Sequence, residues 1–334
     1  MNSQPSSSPA APLSRFMDRR GFLRTSALTS SGLYLVTSKT AVAQQTAPGR
    51  TIKCALVGCG AQGNALRVAS KDVPGIQWVA MCDIWKFSIA KTRGGFLGEN
   101  KHQVEGEIKI YEDINEMLDK EPSIEAVFIA TPDFLHAPYS RLCLEKGKHV
   151  YCEKPLAHSI EETRIMARVA AETKVVTQMG NTGHASEGLR LTKEWIDVGA
   201  IGAVSEVHVW SDRPGKFWDS QGKPRPTEKL PVPATLDWNQ WQGAAPEHDY
   251  HPLYVPRKWR GWFDYGCGAL GDMMVHNADP AWYALDLGAP TSVDCRACFS
   301  LMSDRSRAPA VKPVASNRRP RRDSASTALT GGVS

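Results

Sequence analysis

Two kinds of apolar spacing alternate along residues 51–180. TIKCALV (51–57) is a short apolar run with β-branched positions, and IQWVAMCD (76–83) is a second. IKIYED, EAVFIAT, KHVYCE and KVVTQMG repeat that texture further on. Short apolar runs of this kind predict strands. Between them lie segments with helical spacing. GCGAQGNALRVAS opens on glycines, WKFSIAKTRGGFL follows the second strand, and YSRLCLEKG stops at Gly147. IEETRIMARVAAET is amphipathic with a charged first turn. Strands alternating with helices predict an α/β fold, a doubly wound parallel sheet covered on both faces.

After about Asn181 the texture changes. A helix, EGLRLTKEWIDVG, leads into a strand, AVSEVHVWSD. A Pro- and Trp-rich passage follows from Arg213 to about Trp262, and GALGDMMVHNADPAWYAL then reads as helical. From about Phe299 the chain turns to Arg, Ser, Ala and Pro without periodicity, a composition expected to stay disordered. No internal repeat is visible.

The net charge of +5 changes little in this picture. From Phe299 onward there are seven Lys/Arg and two Asp/Glu. Up to Ala43 there are four Arg and one Lys against Asp18. The basic character therefore lies at the two ends and gives no sign of a nucleic-acid surface. The amino end also carries an address. Asp18-Arg19-Arg20-Gly21-Phe22-Leu23 is a twin-arginine pair with apolar residues behind it, Ala27 to Val36 is modestly apolar, and Ala41-Val42-Ala43 suits a signal peptidase. Residues 1–43 are expected to be a twin-arginine leader, with Met1 or Met17 as its start. It implies the twin-arginine export machinery as a partner, a periplasmic or otherwise exported location, and no membrane span after cleavage. The eight cysteines do not form a disulfide framework, and Cys295-x-x-Cys298 is one pair without a second, so no metal site is expected.

Gly58-Cys59-Gly60-Ala61-Gln62-Gly63 is a full GxGxxG between a predicted strand and a predicted helix. Gly58 permits the tight turn, Gly60 lets backbone approach a pyrophosphate, and Gly63 lets helix pack on sheet. The N–H groups at the helix start would face the phosphates. Asp83 ends the second strand 20 residues after Gly63, where a carboxylate meets ribose hydroxyls and disfavours a 2′-phosphate. NAD is the expected cofactor, ahead of NADP; Lys86 nearby weighs the other way.

Two further clusters carry chemistry. In Glu153-Lys154-Pro155, proline biases Lys154 toward an extended backbone at a strand end, so its ammonium can be aimed. An ordinary solvated turn is the other reading. Asp272 and His276 are four apart and share one helix face. Histidine is suited to trading a proton near neutral pH, although a plain surface pair has the same spacing.

With GCGAQG, ATPDFLHAP (130–138), EKP (153–155) and GALGDMMVHNADP (268–280), the chain resembles the glucose-fructose oxidoreductase / inositol dehydrogenase / MocA-like (Gfo/Idh/MocA) oxidoreductases from about Thr51 to Gly288. The resemblance implies a Rossmann domain, expected at 44–178, and an α+β domain on an open mixed sheet, expected at 179–298. It implies NAD and hydride transfer to or from a sugar, polyol or related alcohol. It places Lys154 at the nicotinamide and substrate, with Glu153 positioning its loop, His276 as general acid/base and Asp272 as the partner of His276. Thr131, Pro132 and His136 would line the cofactor; for His136 a packing role is the alternative. Asn181 and His184 would face the substrate or form a structural turn.

The family's second domain continues with further strands and a closing helix. The basic tail at 299–334 stands in their place, so that domain is expected to be incomplete, and a homo-oligomer is expected only where it is complete. Export predicts a tightly held nucleotide. Two other readings stay open: an NAD-dependent glycosidase that oxidises, eliminates and reduces, and an inactive nucleotide-binding remnant.

Overall fold

The structure, a computed structural model, describes residues 49–211 and 218–294 and the backbone of Leu329–Thr330. The leader expected at 1–43 lies outside the described residues, as do Cys295 and Cys298. Residues from Thr51 onward form one unit, separate from the segment that ends at Arg50.

Strand β1 (Ile52–Val57) is buried along its last four residues because strands flank it on both sides. With β2 (Ile76–Cys82), β3 (Lys109–Tyr111), β4 (Ala126–Ile129), β5 (His149–Glu153) and β6 (Thr177–Gly180) it builds a parallel sheet of order β3-β2-β1-β4-β5-β6. The order reverses between β1 and β4, which opens a crevice at the carboxyl ends of the strands. The sheet extends to Gly180, two residues beyond the boundary expected at 178.

Successive β1 residues face opposite sides. Cys54 and Leu56 pack with Trp78, Met81, Ile89 and Phe96. Ala55 and Val57 pack with Met117, Val127, Ile129, Leu144 and Val169. Helices α1 (Ala61–Ala69), α2 (Lys86–Leu97), α3 (Ile114–Lys120), α4 (Asp133–Glu145) and α5 (Ile160–Thr173) cover the sheet. The charged first turn predicted for α5 is a capping box. Ser159 accepts from the Glu162 N–H, and Glu162 accepts from the Ser159 N–H.

Helix α4 starts at Asp133, six residues ahead of the predicted Tyr139, and keeps Pro138 inside it. Burial of Phe134, His136 and Ala137 outweighs the hydrogen bond that Pro138 removes. The six described cysteines are free thiols. Burial pushes Cys54 and Cys143 up to about 12, so neither is a nucleophile near neutral pH.

Beyond Gly180 lie α6 (Glu187–Asp197), β7 (Val207–His208), α7 (Trp238–Gln242), α8 (Gly268–Asn277), α9 (Asp279–Ala284) and β8 (Leu329–Thr330). The single helix predicted over 268–285 is two helices, with Pro280 in the first turn of α9, where its missing N–H costs nothing. The open mixed sheet is represented among the described residues by one pair: β7 beside β8, parallel. Leu329–Thr330 falls within the tail expected at 299–334; the rest of that tail lies outside the described residues. No described helix is long and apolar enough to cross a membrane.

The Trp-rich passage is a core of its own. Trp238, Trp241, Tyr254, Trp259, Trp262 and Tyr265 pack on Phe134 of α4. The Pro-rich stretch before α7 crosses the loop after β2 as a strap. Lys86 N–H donates to the Thr235 carbonyl at 3.2 Å, Trp85 Nε1 to Thr235 Oγ1 at 3.1 Å, and Trp85 bridges Leu236 in antiparallel fashion.

Candidate active site

The glycine loop sits in the crevice between β1 and β4. Gly58 has φ +90°, and a Cβ there would lie 2.6 Å from the Ala130 carbonyl oxygen. A Cβ on Gly63 would lie 1.8 Å from the Gly58 carbonyl oxygen. Both positions therefore exclude any side chain, one against β4 and one beneath the loop. Gly60 differs: nothing lies within 4 Å of its added Cβ. That open side, at the head of α1, is where backbone N–H groups can meet a pyrophosphate. Ala61 and Gln62 are the first residues of α1.

Asp83 is half-buried just past β2. Its carboxylate accepts the Cys59 N–H at 2.6 Å and the Trp85 N–H at 2.7 Å. It ties the glycine loop to the strand end, and each oxygen keeps a lone pair for a ribose hydroxyl. Burial pushes its pKa up, against the N–H groups of Trp85, Cys59 and Ile84. Thr131, after β4, has a buried Oγ1 without a hydrogen-bond partner. An orphaned hydroxyl and an open Gly60 in one crevice fit a bound dinucleotide. Glu153, 4 % exposed, accepts from Gln62 Nε2 at 3.0 Å and joins the glycine loop to the EKP segment.

Lys154 leaves the end of β5 and meets α8. Its backbone N–H donates to the Gly180 carbonyl at 3.1 Å, and a cis peptide bond links it to Pro155. Its Nζ pairs with Asp272 Oδ1. Asp272, 3 % exposed, also meets Arg260 Nε at 3.4 Å. This differs from the expected arrangement, in which Asp272 orients His276. Two cations claim the Asp272 carboxylate, so it acts on His276 through its charge.

His276 is half-buried on α8. Burial, then the Lys154 charge, lowers its pKa below the usual histidine value, against the opposing pull of Asp272. A neutral imidazole at pH 7 is able to accept a proton.

Two expected ligand contacts are otherwise engaged. His184 Nδ1 lies 2.9 Å from Asp279, and Asn181 Nδ2 donates to the Val275 carbonyl at 3.0 Å. Both tie the turn after β6 to α8 and α9, although Asn181 Oδ1 is buried and unpartnered. His136, expected to line the cofactor, is 1 % exposed with both ring nitrogens on backbone carbonyls, so it packs rather than lines. Pro132 occupies the position just ahead of α4 without a capping hydrogen bond. Arg260 was not visible from spacing: it reaches Asp272 from the end of the Trp-rich segment just before α8, and it stacks 4.2 Å over the Trp259 ring. Among the described residues no group of three or more His, Cys, Asp or Glu could hold a metal.

The family model for the "Oxidoreductase family, NAD-binding Rossmann fold" matches residues 52–181, and its companion, "Oxidoreductase family, C-terminal alpha/beta domain", matches 189–300. The levoglucosan dehydrogenase of Pseudarthrobacter phenanthrenivorans is 27 % identical over 70 % of this chain and 51 % of its own length. The 2,7-anhydro-N-acetylneuraminate hydratase of Mediterraneibacter gnavus is 28 % identical over 61 % of this chain and 47 % of its own. The chain thus spans about half the length of these curated relatives. The WlbA dehydrogenase of Bordetella pertussis, solved with NADH and UDP-GlcNAcA, shares the fold at 21 % identity and a TM-score of 0.51, over 70 % of this chain and 58 % of that one. Two successive domain models of one family cover most of the chain: it belongs to the Gfo/Idh/MocA oxidoreductases, and its first domain is an NAD-binding Rossmann fold.

Proposed function

We propose that this chain is an NAD-dependent oxidoreductase that works at a CH–OH carbon of a sugar, polyol or related alcohol. The observation that carries the reading is the convergence of Lys154, Asp272 and a half-buried His276 beside the glycine-loop crevice. Gly58, Gly60, Gly63, Asp83 and Thr131 would hold NAD, which supplies the hydride acceptor or donor when bound. Lys154 donates a hydrogen bond to the reacting oxygen and stabilises negative charge that develops there. His276 takes the hydroxyl proton at a ring nitrogen in oxidation and returns it in reduction. Asp272 holds Lys154 in place, and Arg260 holds Asp272.

The name of the hydratase relative supports a second reading. Hydration involves no net oxidation, so a site of this kind can close its redox cycle on one substrate. A glycosidase that oxidises, eliminates and reduces would do the same. The two separate on a panel of polyols and chromogenic glycosides. Net NADH from a polyol supports the dehydrogenase; aglycone release without net NADH sinks it. The basic leader supports export through the twin-arginine route. A reporter fused after Ala43 should reach the periplasm, and Arg19→Lys with Arg20→Lys should hold it in the cytoplasm.

A further inference from the structure

Helix α4 begins with two buried ionisable residues that the mechanism does not use. Asp133 is 2 % exposed and His136 is 1 % exposed. They are three apart, so they share a helix face. His136 Nδ1 lies 2.7 Å from the Pro155 carbonyl oxygen, and Nε2 lies 2.9 Å from the Thr131 carbonyl oxygen. A carbonyl oxygen only accepts. A neutral imidazole has one N–H, so it would turn a lone pair onto one of the two carbonyls. The geometry asks for a proton on each ring nitrogen, hence a positive charge.

The surroundings answer that charge. Burial opposes it, but Cys152 from β5, Asp133 and the Pro155 carbonyl outweigh burial and push the ring up to about 9. Asp133 accepts the Cys267 N–H at 3.0 Å, directly ahead of α8. Burial pushes Asp133 up and the His136 charge pulls it back; Asp272 and Arg260 add smaller effects of opposite sign. Cys267 Sγ faces the Ala157 carbonyl at 3.8 Å.

We propose that a positively charged, buried His136, together with Asp133 on the same helix face, positions the active site. From the start of one helix it holds three segments: the Thr131–Pro132 loop beside the cofactor, the Lys154–Pro155 turn, and the head of the helix that carries Asp272 and His276. Both are positioning residues, because neither is exposed to a ligand. The proposal rests on the assignment of Lys154 and His276 above.

Nitrogen NMR on the full chain labelled at histidine and lysine tests it without substrate. His136 is expected to show two protonated ring nitrogens at about pH 7.5, one unit above an ordinary histidine. A neutral tautomer there overturns the proposal whatever the activity. In His136→Gln and Asp133→Asn, the Lys154 Nζ resonance should shift; an unmoved resonance overturns the positioning role. Turnover in both variants should fall on the order of 10²-fold, the scale of a misplaced reacting group. Adding Lys154→Ala to His136→Gln should cost less than Lys154→Ala alone, and full additivity counts against the proposal. Absence of turnover in the wild type would overturn the proposed function, and the NMR outcome would still decide the charge on His136.

Discussion

Lys154 is held at both ends: its backbone is fixed by Gly180 and its ammonium by Asp272. Lys154→Ala should lower kcat on the order of 10²-fold or more and leave NAD affinity within about threefold, measured by steady-state kinetics and titration. His276 sets the acid limb. Its pKa lies below the usual 6.5, so kcat/KM for alcohol oxidation should rise with pH through a value under 6.5 and then level off. His136 has the opposite sign. Its folded value near 9 exceeds the unfolded 6.5. The stability it contributes is full below 6.5 and is lost as pH rises through about 9, on the order of 3 kcal/mol. Chemical denaturation across that range should show the loss in the wild type and not in His136→Gln. The glycine loop and EKP were legible in the sequence because a residue type answers a local backbone demand: no side chain fits at Gly58, and proline follows the aimed lysine. Arg260 and the Asp133–Cys267 contact were not, because their partners are set by tertiary packing and not by a local pattern.

At the level of elements, the strands and most helices of the sheet followed from apolar spacing. The failures lie where packing overrides local preference. Helix α4 runs through Pro138 because its first turn is buried, and α3 and α7 are too short to show a clear period. The strap over the β2 loop was hidden for the same reason, since a Pro-rich stretch carries no period at all. Leu236, 5 % exposed, anchors it in the aromatic cluster. Leu236→Ala should cost about 2–5 kcal/mol in denaturant unfolding. It should also quicken NAD release, because the strap holds the loop next to Asp83; stopped-flow displacement would measure that. The Ser159 cap is a control: Ser159→Ala should cost about 1 kcal/mol and leave NAD binding alone.

For the molecule as a whole, the switch point and the glycine loop mark one crevice, and the family match gives an NAD-binding Rossmann fold. NAD should therefore stabilise the full chain by mass action, by about 2.7 kcal/mol at a hundredfold excess over Kd, seen as a raised Tm. Asp83 should make NADP a much weaker stabiliser, and Asp83→Ser should narrow the gap. The second domain was less legible. Its expected mixed sheet rested on resemblance, and the described residues there are also held by an aromatic cluster, by the α8 contacts to Lys154 and Asn181 and by the α9 contact to His184.

The most direct test follows NADH absorbance while the full-length protein, its Lys154→Ala variant and its His276→Asn variant meet a panel of sugars and polyols, with NAD binding titrated in parallel. The account predicts that all three bind NAD with similar affinity and that only the wild type turns over at an appreciable rate on at least one alcohol. Turnover by Lys154→Ala at the wild-type rate, or loss of NAD binding in that variant, would contradict it.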